Sequence, residues 1–250
     1  MSEFLAEFIG TAMLVTIGDG VVANVLLQKT KGHGSGWIVI TTAWGLAVAV
    51  AAYSVGRVSG AHLNPAVTLA IALSDSDFGW SRVPLYMAAQ VLGGFLGGIL
   101  VWLHFHAHWA PTQDADAKLA VFCTGPAIRH APSNLGGEAI GTLLLVFGIL
   151  AIGANAEELS KSGDIDLQKA YSTAVSPLLV GLLVWAIGLS LGGTTGYAIN
   201  PARDLGPRLA HALLPIPGKR DSDWGYAWIP VAGPILGGAA AAILYRWVGL

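Results

Sequence analysis

Two related stretches decide the fold of this sequence: SGAHLNPAV at residues 59–67 and GYAINPARD at residues 196–204. Each contains Asn-Pro-Ala, in which Asn is a favoured helix cap and Pro is accepted at the first helical position. Short apolar runs include these motifs, at residues 64–73 and 200–213. The first run holds about 10 residues, or roughly 15 Å of helix, which is half of a bilayer core. Both runs are therefore predicted to enter a membrane without crossing it.

The composition is that of a membrane protein. Of the 250 residues, 54% are hydrophobic and only 11% are charged, whereas soluble domains carry about 25% charged residues. A formal net charge of −2 without a run of Lys or Arg gives no expectation of a nucleic-acid partner. A helix needs about 20 apolar residues to cross the bilayer. Six stretches qualify: 4–27, 37–55, 83–103, 135–154, 174–191 and 226–248. The sequence thus predicts an all-α membrane protein of six transmembrane helices and two re-entrant half-helices.

The chain also repeats itself. Residues 7–11 read EFIGT and residues 138–142 read EAIGT, and an Asn-Pro-Ala motif follows in each half. Because each half contains three crossings, the second half is inverted relative to the first, and such inverted repeats place their sites near the midplane. We expect a single domain over residues 1–250, with repeats about 1–106 and 135–250 joined by loop 107–134. Lys and Arg are divided between the two sides, so the positive-inside rule does not orient the chain.

Two half-helices entering from opposite faces would meet near the midplane. Each N-terminus carries about half of a positive elementary charge, and two such ends facing one aqueous file oppose cations, including protons. The amides of Asn64 and Asn200 can donate hydrogen bonds to a passing hydroxyl or water oxygen. The backbone carbonyls before each half-helix are predicted to accept hydrogen bonds from the same solute.

The two quoted stretches resemble the signature loops of the aquaporin superfamily. Asp204, directly after Asn-Pro-Ala-Arg, is typical of its glycerol facilitator branch. The resemblance covers nearly the whole chain. It implies a bundle of six spans and two half-helices, a homotetramer with one pore per protomer, and a cell-membrane location with both termini cytoplasmic.

The resemblance also implies a selectivity filter of Trp44, Gly188, Tyr197 and Arg203. Water-selective relatives usually carry Phe at the Trp44 position and His at the Gly188 position, so this pattern favours glycerol. Gly188 is expected to leave width in the pore. Tyr197 stands where Phe is frequent, and its hydroxyl would either narrow the pore or add a polar contact.

The remaining candidate residues belong to the loops or support them. Predicted to line the pore are Gly60, Ala61, His62, Asn64, Pro65, Ala66, Gly196, Ala198, Asn200, Pro201 and Ala202. Glu7 and Glu138 lie inside spans, where we expect them to hold loop backbone N–H groups, with a proton relay as the alternative. Asp204 is also assigned to structural support. Asp19 is expected to reach the membrane interface, and Cys123, far in sequence from both loops, is expected to be inert.

The predicted function is passive conduction of glycerol and other small neutral solutes across a lipid bilayer, with ions and protons excluded. Water, urea and undissociated small acids such as lactic acid are the other expected solutes. No nucleophile–base constellation, phosphate loop or HExxH motif occurs, so neither enzymatic activity nor a cofactor or metal is expected. Three alternatives stay open: a water-selective channel, a coupled secondary transporter with a further buried acidic site, and a structural membrane-junction protein.

Overall fold

A computed structural model describes residues 1–75, 77–161 and 165–249. Residues 76, 162–164 and 250 of the predicted single domain lie outside the described residues. The described part is helical and contains no β-strand. Its α-helices are α1 Glu3–Leu26, α2 Trp37–Ser59, α3 Pro65–Ser74, α4 Val83–His104, α5 Ala115–Phe122, α6 Ala131–Lys161, α7 Ile165–Ala170, α8 Ser176–Leu191, α9 Pro201–Leu213 and α10 Ile229–Val248.

Among the described residues, six helical segments are long and apolar enough to cross a membrane. They are α1, α2, α10, the segment Trp80–His104 that contains α4, the part Ala131–Leu159 of α6, and the segment Leu167–Leu191 that contains α8. The predicted all-α membrane fold is thus confirmed, and the protein is a multi-pass membrane protein.

The structure corrects the prediction for loop 107–134 and the fourth span. The loop contains the short helix α5, whose first N–H groups are capped by the side chain of Asp114 at 2.9 Å and 3.0 Å. The fourth span was predicted over residues 135–154, but α6 covers Ala131–Lys161. Hydropathy marks the part of a helix that contacts lipid, whereas polar ends can continue the helix into water.

The half-helices α3 and α9 begin where the Asn-Pro-Ala motifs predicted. Oδ1 of Asn64 accepts a hydrogen bond from the N–H of Ala66 at 2.9 Å, and Oδ1 of Asn200 accepts one from Ala202 at 3.0 Å. Each half-helix packs against the last span of the other half, α3 on α10 and α9 on α4. The two halves are therefore interlocked around the point where the half-helices meet.

The first and last spans of each half pack against each other in the same way in both halves. α1 lies against α4 as α6 lies against α10, and glycine permits both close approaches. A Cβ on Gly93 would lie 2.4 Å from the carbonyl oxygen of Phe8, and one on Gly237 would lie 2.1 Å from that of Ala139. Phe8 and Ala139 hold the same position in the EFIGT and EAIGT repeat. The sequence repeat therefore corresponds to a repeat in helix contacts.

Candidate functional site

The loop before α3 is held by a buried glutamate of α1. Glu7 accepts hydrogen bonds from the backbone N–H of His62 at 3.0 Å and of Leu63 at 2.7 Å. It also accepts from the Ser59 hydroxyl at 2.6 Å and from the Gln90 amide at 2.7 Å. Backbone donors at membrane depth must find such partners, because lipid offers none. Glu7 therefore fixes the course of the loop from behind.

Glu138 of α6 does the same for the loop before α9. Its carboxylate accepts from the N–H groups of Ala198 at 2.9 Å and Ile199 at 2.8 Å, and from the Thr195 hydroxyl at 2.6 Å. Both carboxylates are committed to loop donors, which favours structural support over a proton relay.

Both loops carry residues in left-handed backbone conformation, in the same order. The φ angle is 51° at Ala61 and 52° at Leu63 in the first loop, and 38° at Tyr197 and 43° at Ile199 in the second. For residues other than glycine, such conformations cost on the order of 1–3 kcal/mol each. The hydrogen bonds to the two glutamates hold this strained backbone in place.

The two Asn-Pro-Ala motifs are joined to each other by their asparagines. Nδ2 of Asn64 donates to the carbonyl of Ile199 at 2.7 Å, and Nδ2 of Asn200 donates to the carbonyl of Leu63 at 2.8 Å. Since a side-chain amide has a second N–H, each asparagine retains a donor that can reach a solute. The N-termini of α3 and α9 therefore meet, with their positive ends close together.

Of three adjoining cavities, the middle one lies at this meeting point. The outer cavity, between the end of α1 and the start of α2, has a volume of about 300 Å³. The middle cavity has a volume of about 70 Å³ and is lined by both asparagines. The inner cavity, on the side of the chain termini, has a volume of about 460 Å³. The middle cavity shares lining residues with each of the other two and has the smallest volume of the three.

The outer and middle cavities meet at Trp44, Tyr197 and Arg203, which line both. The guanidinium carbon of Arg203 lies 4.0 Å from the centre of the Trp44 ring. This contact orients a planar group whose N–H donors suit hydroxyl oxygens. The junction thus offers aromatic surface to carbon atoms and fixed donors to oxygen atoms.

Gly188, the fourth predicted filter residue, acts differently from the expectation that it leaves width in the pore. A Cβ at this position would lie 2.7 Å from Cζ of Tyr197 and 2.9 Å from its hydroxyl oxygen. The Tyr197 ring therefore occupies the space that a side chain at position 188 would need. Its hydroxyl is buried and has no hydrogen-bond partner among the described residues.

The loop residues divide into a lining group and a packed group. Those that line one or more of the cavities are Gly60, Ala61, His62, Asn64, Gly196, Tyr197, Ala198 and Asn200. Those that were predicted to line the pore but line none of these three cavities are Pro65, Ala66, Pro201 and Ala202. Ala66 and Ala202 contact neighbouring helices instead. The carbonyl oxygen of Ala66 lies 3.0 Å from the Cβ position of Gly238, and that of Ala202 lies 2.6 Å from the Cβ position of Gly94.

Asp204 links the segment after α5, which contains Thr124, to α9. Its carboxylate accepts from the N–H and hydroxyl of Thr124 at 2.8 Å and 2.7 Å, and from Nε of Arg208 at 2.8 Å. Arg208 is fully buried and donates onward to the carbonyls of Thr124 at 3.0 Å and Ser222 at 2.7 Å. This network fixes the wall of the outer cavity, to which Thr124 belongs.

The prediction for Asp19 is wrong. Its side chain does not reach the interface: it is fully buried, and Oδ1 lies 3.1 Å from Nη1 of Arg203. α1 continues to Leu26, so Asp19 lies well inside the helix. The signal that could have identified it is its depth, because an ionisable residue within a span needs a partner.

Cys123 lies closer to the site than its position in the sequence suggested. Although it is distant in sequence from both signature loops, it lines the outer cavity together with Arg203. It is 2% exposed, and burial raises the pKa of its thiol well above the usual range. Trp37 was also missed: its indole N–H donates to the carbonyl of Gly188 at 3.0 Å, and its ring packs edge-on against Tyr197.

The sequence matches one protein family and is similar to several known proteins. Residues 1–245 match the family model described as major intrinsic protein. A probable glycerol uptake facilitator protein of Thermotoga maritima is 61% identical over 248 residues, covering 99% of this chain and 100% of the relative. A glycerol uptake facilitator protein of Bacillus subtilis is 54% identical over 246 residues, covering 98% of this chain and 84% of the relative.

The architecture matches as well. The X-ray structure of the aquaglyceroporin from Plasmodium falciparum superimposes with a TM-score of 0.80 at 30% sequence identity, covering 98% of this chain and 95% of that one. The descriptions of all three proteins are those of transport proteins rather than of enzymes.

Proposed function

The chain belongs to the major intrinsic protein family, and from this premise we propose that it is a passive channel that conducts glycerol across the cell membrane. The observation that supports the proposal is the junction of the outer and middle cavities, which three residues line from both sides and which we assign as the constriction of the path. Trp44 and Tyr197 offer apolar faces to the carbon atoms of a polyol, while Arg203 offers donors to its hydroxyls. A solute without apolar carbon atoms, or without hydroxyl groups, would make fewer of these contacts.

Beyond the constriction, a solute would meet the two asparagines in the middle cavity. Their free amide N–H groups would donate to its oxygens, and the loop carbonyls would accept its hydroxyl protons. The positive ends of α3 and α9 would oppose cations at the same place. Conduction would then need no coupling ion and no conformational cycle.

Several finer features belong to the same proposal. Water, urea and undissociated small acids would share the path. The protein would form a homotetramer with one pore per protomer, and both termini would be cytoplasmic, with the inner cavity facing that side. Trp44, Gly188, Tyr197 and Arg203 would set selectivity, and the loop residues that line the cavities would form the remaining contacts.

The test is stopped-flow light scattering of vesicles that contain the purified protein. Wild type should conduct glycerol far faster than empty vesicles, with a flux that stays proportional to concentration and is unaffected by ionophores. Saturation or ionophore sensitivity would indicate a coupled transporter. Water flux without glycerol flux would indicate a water-selective channel, and the absence of both would favour a structural role.

A matched pair of substitutions tests the path itself. Val48 lines the middle cavity, whereas Val50 of the same helix points outward and is 47% exposed. Val48→Trp should abolish glycerol flux because the added ring fills a cavity of about 70 Å³. Val50→Trp should retain the flux. If Val48→Trp assembles and conducts glycerol like wild type, solutes do not use this path.

A further inference from the structure

Three charged side chains of α9 and one of α1 form two separate pairs. Asp204 is paired with Arg208, at 2.8 Å from Nε. Arg203 is paired with Asp19, at 3.1 Å. Although Asp204 follows Arg203 in the chain, its oxygens are used by Arg208 and Thr124. Within the described part of the chain, the carboxylate that forms an ion pair with the arginine of the constriction therefore comes from α1.

Asp19 does not touch the solute path. It is fully buried and lines none of the three cavities, whereas Arg203 lines two of them. Asp19 accepts through Oδ1, and its Oδ2 has no hydrogen-bond partner among the described residues. Asp19 can therefore act on a solute only through its charge or through the position of Arg203, and not by direct contact.

The same turn of α1 supports the other wall of the constriction. A Cβ on Gly18 would lie 2.3 Å from Cζ3 of Trp44, so the absence of a side chain at position 18 lets the Trp44 ring pack against α1. That ring in turn lies under the guanidinium of Arg203. Gly18 and Asp19 thus place the two groups of the constriction relative to each other.

We propose that Asp19 is a positioning residue that makes the constriction electrically neutral, so that the pore rejects anions as well as cations. An unpaired guanidinium in a narrow, poorly hydrated site would attract anions, because charge interactions are strong there. The carboxylate of Asp19 cancels that attraction, yet it uses only one N–H group and leaves the other donors to neutral solutes. Cation rejection then rests on the half-helix ends and on the cost of dehydration rather than on a net charge at Arg203. The inference rests on the proposed channel function.

Two substitutions and their combination separate the effect of the Asp19 charge from the effect of its side-chain position. Asp19→Asn keeps an oxygen acceptor of the same length for Arg203 but removes the charge, so the constriction becomes positive. Arg203→Val leaves the Asp19 carboxylate unpaired and makes the constriction negative. The double variant is neutral again. A structural role of Asp19 alone would not make selectivity follow this change of sign.

Each variant is reconstituted into vesicles after its assembly has been checked by size-exclusion chromatography. Entry of potassium nitrate is measured by light scattering in the presence of valinomycin, which lets potassium follow the nitrate. Proton entry is measured with a pH dye inside the vesicles. Glycerol flux is measured in the same preparations. Asp19→Asn should raise nitrate entry at least roughly tenfold over wild type, since the added charge is unpaired and close to the path. Arg203→Val should raise proton entry, and adding Asp19→Asn to it should bring proton entry back down.

The outcomes separate the inference from the proposed function. If wild type does not conduct glycerol, the channel function itself fails. If wild type conducts glycerol but Asp19→Asn leaves nitrate entry unchanged, and the double variant leaks protons as much as Arg203→Val, the inference is overturned. Should Asp19→Asn fail to assemble, the comparison of Arg203→Val with the double variant decides in the same way.

Discussion

Glu138 should contribute several kcal/mol to the free energy of unfolding. Its carboxylate accepts hydrogen bonds from loop donors that neither lipid nor apolar side chains could accept. Glu138→Ala removes the acceptor of two buried backbone N–H groups, those of Ala198 and Ile199, and of the Thr195 hydroxyl. A buried donor left without a partner costs about 1–3 kcal/mol. The two N–H groups together therefore predict a loss of roughly 2–6 kcal/mol in the free energy of unfolding.

Glu138→Gln provides a graded comparison. The amide oxygen can take the place of Oε1 and keep the bonds from Thr195 and Ala198, but the NH2 group would face the N–H of Ile199. One unsatisfied donor predicts a loss of about 1–3 kcal/mol, roughly half of the alanine effect. Leu144→Ala is the matched control, because Leu144 lies on the outward face of the same helix and is 45% exposed.

The assay is reversible unfolding in mixed detergent and lipid micelles titrated with sodium dodecyl sulfate, followed by tryptophan fluorescence. Glycerol flux of the same variants should fall in the order wild type, Glu138→Gln, Glu138→Ala. The reason is that the loop held by Glu138 leads directly into α9, whose first turn contains Arg203. The reasoning is refuted if Glu138→Ala lies within about 0.5 kcal/mol of the Leu144→Ala control, or if the glutamine variant is the less stable of the two.

Three further predictions follow from the same contacts. Gly188→Ala should lower glycerol flux more than water flux in stopped-flow measurements, since its Cβ would displace the Tyr197 ring, which lies 2.7 Å away; an unchanged flux ratio would contradict this. Labelling of Cys123 by a methanethiosulfonate reagent should be slow near neutral pH and faster as pH rises, because burial raises the pKa of the thiol and only the thiolate reacts. Labelling should reduce glycerol flux in wild type but not in Cys123→Ser, and full labelling confirmed by mass spectrometry without loss of flux would refute that placement. Arg208→Met should cost about 3–5 kcal/mol in the free energy of unfolding by leaving Asp204 buried without its ion-pair partner, and adding Asp204→Asn should recover part of the loss.

Much of the fold could be predicted from the sequence because the relevant physics is local. A bilayer demands runs of apolar residues of a given length, and these are visible in any window of the chain. Helix starts are equally local: Asn64 caps α3 through the N–H of Ala66, only two residues away. The polar ends of α6 and the eight-residue helix α5 were missed, since neither contributes an apolar run of that length.

The candidate site was predictable where it consists of the two motifs themselves, and not where it depends on what faces them. Sequence analysis by itself determined that two half-helices begin at Asn64 and Asn200 and that buried glutamates would serve their loops. It could not determine that the space at Gly188 is taken by Tyr197, nor that Cys123 lines the same cavity as Arg203. Only the tertiary structure decided that Asp19 is the partner of Arg203, which is 184 positions away in the chain. The sequence pattern shows that a charged residue in a span needs a partner of opposite charge. Which residue is that partner depends on the packing of α1 against α9, because Asp19 and Arg203 are close in space but far apart in the chain.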